Sequence, residues 1–297
     1  MGFPGWRAVL VLAAAPVGCY APHAVPGGPC SDGLECPSGL ICDVSAAEGP
    51  TCTEVPADPN DRPSGAIDVS AGGRFEFDAR GASDDFDAPC AAASGPDVFF
   101  RISLSAPEVL YLDTDGSSGS PAIAVHQGSC TSSGGAEACA AQTCGEVAQG
   151  AWRLAAGEHC IVVDHAGVPP GPGRLNVVRT HRDGDPLNGH MGAVTGDTCK
   201  DDNSNDASCG CEPAQDHHYF FTLCPGTKTV HFDTCTGTNW DSVLQLRDQD
   251  EDRAGCNDDG MCGDQASLSR DLDGPGLFWA IVDGCNECGQ YTMQYSY

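Results

Sequence analysis

Basic side chains are few: 14 Lys and Arg stand against 42 Asp and Glu, a formal charge of -28. Proteins that neutralise phosphates need the opposite balance, which excludes nucleic acid as a partner and opposes adsorption to an anionic membrane. Local catalytic signatures are absent as well. The chain has no G-x-S-x-G elbow, no H-E-x-x-H pair and no phosphate-binding glycine loop. Nor does an apolar stripe of helical period persist for three turns, which excludes a helical core. The apolar run "AVLVLAAA" near the N-terminus is too short to span a bilayer.

What the chain does have is cysteine, glycine and proline, at 19, 38 and 21 residues. So many cysteines require an oxidising compartment, and the glycine and proline content reads as short strands joined by turns. "MGFPGWR", the apolar run and "PVGC" form an export signal over residues 1–18. Its end resembles a bacterial lipobox, with Pro16 where that pattern prefers Leu. The resemblance implies a lipid on Cys19, and Tyr20 after it implies sorting to the outer membrane or cell surface. The membrane is then met only through the lipid. Removing Cys19 also leaves an even eighteen cysteines for pairing.

Residues 19–60 contain Cys30, Cys36, Cys42 and Cys52 with few apolar side chains. A segment that cannot bury a core must be stapled, so a small two-disulfide neck and a polar linker are expected. Beyond it the chain repeats. "DVFFRISL" from Asp97 is answered by "DHHYFFTL" from Asp216, and "VLYLDT" by "TVHFDT". "AIAVH" is answered by "VLQLR", "LAAGEHCIVVD" by "LDGPGLFWAIVD", and "GRLNVV" by "GQYTMQY". The segments alternate with period two between turn residues, which predicts an all-β chain with two tandem antiparallel β-sandwiches at 61–182 and 189–297. "CIVVD" and "FWAIVDG" are the most apolar segments and are expected at the centres of their sheets.

"GPDVFF", "YLDT", "FDTC", "WDSVLQL", "CNDD" and "AIVDG…GQYTMQY" resemble the bacterial pre-peptidase C-terminal domain. The likeness covers residues 65–180 and 190–297. It implies a jelly-roll-like sandwich of the kind appended to secreted peptidases and found in tandem on surface lipoproteins. Some relatives bind calcium at acidic loops. The resemblance also sets "GCNDDGMCGD" between two strands, with Cys130 and Cys139 flanking the equivalent loop of the first copy. Bridges Cys130–Cys139 and Cys256–Cys262 are expected to staple these loops. Cys224–Cys235 would close a hairpin and Cys285–Cys288 a tight turn. The first copy holds five cysteines and the second nine, so full oxidation requires one bridge between the copies, with Cys199, Cys209 or Cys211 as the second copy's contribution.

Two acidic stretches are calcium candidates, and no other cofactor is expected. "DQDEDR" sets Asp248, Asp250 and Asp252 at alternate positions, with Asp259 further on. "DDNSNDASCGCE" sets Asp201, Asn203 and Asn205 at the first, third and fifth places of a loop ending in Glu212, as alternate oxygens can converge on a hard cation. Against this, the sixth residue is Asp206 rather than the turn-forming Gly. His217 and His218 are adjacent in a strand and should point to opposite faces. No catalytic residue stands out. The leading expectation is a non-catalytic surface lipoprotein whose sandwiches act as a spacer or adhesion module, with an unidentified surface protein or glycan as partner. The alternatives are a glycan- or protein-binding accessory to secreted peptidases, with Trp240, Trp279 and Tyr219 as available aromatics, and a hydrolase with a scattered site.

Overall fold

A computed structural model describes residues 26–30, 36, 40–43, 49–54, 59–93, 95–130, 135–165, 171–205, 209 and 214–297. Cys19 and the export signal lie outside them, as does Glu212. In the neck, β1 (Leu40–Asp43) and β2 (Thr51–Glu54) pair antiparallel, with Cys42 opposite Cys52. Disulfides Cys30–Cys42 and Cys36–Cys52 consume all four sulfurs, which leaves no thiolate for zinc.

Residues Pro56–Tyr297 form the second unit. Its first half contains β3 (Ile67–Asp68), β4 (Gly73–Asp78), β5 (Asp97–Leu104), β6 (Glu108–Asp113) and β7 (Pro121–Gln127). It continues with β8 (Ala138–Ala141), β9 (Gln149–Leu154), β10 (Gly157–His165) and β11 (Pro172–Thr180). These strands make two sheets, ordered β3-β5-β10-β7-β8 and β4-β11-β6-β9. Alternate side chains from both, among them Phe100, Leu110, Ile123, Ile161 and Leu175, form the buried core between them.

The second half contains β12 (Asp185–Pro186), β13 (Met191–Asp197), β14 (His217–Asp233), β15 (Ser242–Asp248), β16 (Arg253–Asn257), β17 (Ser267–Gly284) and β18 (Gln290–Ser296). Here β14 and β17 pair along nearly their whole lengths, so both layers belong to one sheet that bends over its own core of Phe221, Phe232, Leu244 and Met293. The bend is a register shift between Leu223 and Gly226, where Gly226 takes a φ of 93° that disfavours side chains. The order β12-β14-β17-β15-β16 repeats that of the first five-stranded sheet, and β13-β18-β14-β17 repeats the four-stranded one. The chain is all-β, with antiparallel pairing apart from the short parallel contacts of β3 and β12. Both expected central strands sit inside their sheets, flanked on each side.

Period two decides what each face buries. In β6, Leu110 and Leu112 enter the first core, whereas Val109 and Tyr111 point outward. In β14 and β17, Phe221, Phe278 and Ala280 enter the second core, whereas Phe220, Leu277, Trp279 and Ile281 point outward. The two outward sets meet in one buried cluster. Burying a Trp and two further aromatic rings this way stabilises the stack by several kcal/mol, at about 25 cal/mol per Å² of apolar surface.

The remaining apolar sheet face, that of β5, β10 and β7, is covered by the segment 82–93, with Phe86 packed on its buried residues. Two aspartates hold that cover. Asp97 Oδ2 accepts from the Asp85 and Phe86 N–H groups at 2.8 and 2.6 Å, and Asp164 Oδ2 accepts from Ala88 N–H at 2.9 Å. Asp97 and Asp164 face each other across the β5–β10 ladder. The second half repeats the device: Asp216 accepts from Ser204 and Asn205 N–H, and Asp283 from Ala214 and Gly284 N–H. The acids that mark the sequence repeat are loop anchors.

The expected disulfide pairs are corrected. Cys130 bonds Cys160 rather than Cys139, which bonds Cys90. Cys256 bonds Cys209, and Cys262 bonds Cys235, so neither staples "GCNDDGMCGD" on itself. Cys224 is therefore not joined to Cys235, and Cys288 bonds Cys199 rather than Cys285, which is itself disulfide-bonded. The reason is common to all. A cross-strand or loop-to-strand distance, set by the sheet, places sulfurs together that sequence neighbourhood does not. The bridge between the copies exists as Cys144–Cys224, from a different second-copy residue than expected. Eight disulfides among the described residues suit an exported protein in an oxidising compartment. No helix of the described residues is long and apolar enough to cross a membrane.

Burial, followed by loop hydrogen bonds that only partly offset it, raises the Asp97 carboxyl to about 8; burial likewise raises Asp164 to about 6 and lowers His165 to about 4. A carboxyl raised on folding contributes stability that is full below its ordinary value and lost as pH rises through the folded one. His165, lowered on folding, opposes this between its folded and ordinary values, where stability falls as pH falls. From there up to about pH 8 Asp97, raised to about 8, contributes the decline. Melting temperature should thus decline from pH 6.5 to 8, and Asp97→Asn should flatten that decline; superimposable wild-type and variant profiles would refute the assignment. Replacing Cys144 and Cys224 with Ser should leave both sandwiches folded. It should lower stability by up to roughly 4.5 kcal/mol, the chain-entropy value for a bridge spanning 80 residues, read by denaturant unfolding.

Candidate functional site

A concavity of about 950 Å³ opens where the two sandwiches meet. The end of β9 contributes Arg153, the end of β11 and the connector after it contribute residues 179–185, and Asp216 lines it together with His217 and His218 from the start of β14. The turn between β15 and β16 closes it with Gln249, Asp250 and Glu251. Gly184 lets the connector lie flat. A Cβ there would stand 2.8 Å from the His218 carbonyl oxygen and 2.9 Å from the Trp279 ring.

Arg182 ties the two halves across this groove. Its Nε donates to Glu251 Oε2 at 2.8 Å, a second guanidinium nitrogen reaches the same carboxylate, and the guanidinium lies 5.8 Å from the Trp279 ring centroid. Arg153 pairs with Asp183 at 2.8 Å, and Arg179 grips the buried Glu108 through two nitrogens at 2.9 and 2.7 Å. The groove's cations are thus committed to partners in the protein.

His218 lies below Arg182. Its Nδ1 is 3.1 Å from the Asp183 carbonyl oxygen, and its Nε2 is 2.5 Å from Asp216 Oδ1. Ser204 Oγ donates to the same Asp216 oxygen at 2.9 Å and stands 3.5 Å from His218 Nε2. Burial raises the Asp216 carboxyl, but hydrogen bonds from His218, the Asn205 N–H and Ser204 outweigh it and hold the group below the ordinary carboxylate range. Ser, His and Asp meet here without forming a proton relay. A relay needs hydroxyl and carboxylate on opposite ring nitrogens, whereas these two share Nε2. His217 turns its ring onto Tyr219 and sets Nδ1 2.7 Å from Asp201 and Nε2 3.2 Å from Asp185. The two histidines do point to opposite strand faces, yet both reach the groove because the strand begins at its edge.

The calcium candidates are dispersed. Asp248 Oδ1 accepts from the Asp250 and Asp252 N–H groups at 3.0 and 2.9 Å, so "DQDEDR" is a hairpin turn capped by its first acid. Asp201 is turned to His217, Asn205 Nδ2 donates to Gln245 Oε1 at 2.6 Å, and Asn203 is exposed. Spacing that echoes a calcium loop here serves two separate contacts and one exposed side chain. Asp259 instead joins a cluster the sequence did not reveal. Asp241, from the loop before β15, and Asp258 approach Cys285 within 4.8 Å, with Asp259, Asp264 and Glu287 nearby. Cys285 is disulfide-bonded and offers no thiolate.

Burial first, then the neighbouring carboxylates, raise both Asp241 and Asp258. At neutral pH the folded loop holds repelling charges that the unfolded chain separates. Asp258→Asn should therefore raise the melting temperature in chelator by about 1–2 °C, whereas a fall would show that the cluster attracts rather than repels.

No family model matches this chain, and no curated protein does. Among solved structures, 39% of the chain aligns with 98% of the pre-peptidase C-terminal domain of a collagenase from Bacillus anthracis, at 12% identity and a TM-score of 0.29. The CUB1-EGF-CUB2 domain of human MASP-1/3 aligns over 75% of this chain and 99% of its own, at 10% identity and a TM-score of 0.20. An allantoicase aligns over 78% of this chain and 92% of its own, at 10% identity and a TM-score of 0.21.

Proposed function

We propose that this chain is a non-catalytic surface lipoprotein. In this reading its stacked sandwiches act as a rigid spacer and adhesion module, anchored by a lipid on Cys19. The observation that carries the reading is the buried cluster of Val109, Tyr111, Phe220, Leu277, Trp279 and Ile281 between the sandwiches. Together with the Cys144–Cys224 bridge and the Arg182–Glu251 pair, it removes the hinge that independent modules on a linker would have. A stiff pair of domains holds a binding surface in fixed geometry, and the open groove at the junction is the natural place for a partner.

A hydrolase is the rival reading. The shared Nε2 of His218 argues against it, because Ser204 has no separate base. The test has two parts. In a bacterial host that processes lipoproteins, the chain should fractionate with the membrane, and Cys19→Ala should release it. Purified protein should leave a panel of ester, peptide and glycoside substrates intact. Hydrolysis abolished by Ser204→Ala would overturn the reading, as would membrane association unchanged by Cys19→Ala.

A further inference from the structure

A second cavity, of about 350 Å³, lies beside the groove and shares Gln249 and Asp250 with it. Apolar residues line it too, among them the half-buried Ala254 and Pro275. Four carboxylates line it, Asp248, Asp250, Asp271 and Asp273, and no basic residue does. The acids are held in place rather than loose. Thr229 Oγ1 donates to Asp271 at 2.6 Å, Thr227 Oγ1 donates to Asp273 at 2.5 Å, and Asp248 is fixed by the turn it caps. At the seam between the two cavities, the Gln249 side-chain oxygen is buried and makes no hydrogen bond.

Carboxylates beside apolar side chains are a specific combination. A small hydrophobic ligand would leave the carboxylates uncompensated, and an anion would be repelled by them. A lysine or arginine side chain matches both parts, since its aliphatic stem can lie on Ala254 and Pro275 while its cationic head reaches the carboxylates. The volume suits one such side chain and is at the small end for an organic ligand. The whole chain, at -28, also steers cationic partners towards it. We propose that this cavity is a docking pocket for a lysine or arginine side chain on a basic segment of a protein partner. The proposal rests on the reading of the chain as an adhesion module and names the chemistry of what it adheres to.

The test uses the full mature chain and pentalysine as probe. Calorimetry should show saturable binding that Asp271→Asn with Asp273→Asn weakens about five- to tenfold. Asp68→Asn with Glu76→Gln removes the same charge from the first sandwich and should change affinity less than twofold. Equal weakening by both pairs would reduce the attraction to diffuse charge and overturn the proposal, as would the absence of binding. Should the pocket variant fail to fold, carbodiimide coupling of pentalysine to the wild-type chain decides. Adducts confined to Asp248, Asp250, Asp271 or Asp273 support the pocket, whereas adducts spread over other exposed acids overturn it. Either failure leaves the non-catalytic reading standing, because that reading falls on hydrolysis or on membrane release and not on pentalysine.

Discussion

A β-sandwich buries one face of each sheet, and this chain has sheets that are apolar on both. Val109 and Tyr111 on one side, and Phe220, Leu277, Trp279 and Ile281 on the other, would be exposed if either sandwich stood alone. Covering each other is what makes the two halves a single unit, and other features are arranged around that contact. The connector must be short and flat where it crosses, hence Gly184 against Trp279. The disulfide between the halves falls at the bend of β14, while the Arg182–Glu251 pair closes the contact at the strand's other end. The groove is the space left where two curved surfaces part. The first sandwich has one more apolar face with no neighbouring sheet to cover it, and there the segment around Phe86 does the same work.

The acidity of the chain acquires a structural meaning from those covers. A loop laid over a sheet leaves backbone N–H groups pointing inward, away from water, and each needs an acceptor. Asp97, Asp164, Asp216 and Asp283 supply it at matching positions in the two ladders. An aspartate serves well because one side-chain oxygen can take two N–H groups, as in Asp97 and Asp216. Burial of these groups carries an electrostatic penalty that hydrogen bonds offset fully at Asp216 and incompletely at Asp97.

Strand positions and the identity of the central strands were legible in the sequence, because alternation reports which face is buried and little else competes with it. The parity of cysteines gave the existence of a bridge between the copies. Its second-copy residue was not legible, since Cys224 sits at a bend whose place beside the first copy depends on how the sandwiches stack. The same holds for Cys160, which lies mid-strand yet receives Cys130 from a loop folded back on the sheet. The acidic spacings misled for a related reason. Asp201 and Asn205 are four residues apart, but one faces His217 and the other Gln245, and sequence periodicity in an irregular loop does not report direction. The repeated acids Asp97 and Asp216 were visible as landmarks, and only the covering loops explained them.

The disulfides also have an order along the chain. Cys90–Cys139 is still open when Cys130–Cys160 begins, that loop is open when Cys144–Cys224 begins, and Cys199–Cys288 begins before the last has closed. Every peptide bond between Cys90 and Cys288 is therefore spanned by at least one sulfur bridge. A single proteolytic nick anywhere in that interval leaves the pieces covalently joined. A pulling force applied at the two ends is shunted through the overlapping loops, so most of the chain's contour is never released. Under load from both ends only the flanking strands β3, β4 and β18 can be peeled away with the sulfur bridges intact, and full extension of the interval between them requires reduction.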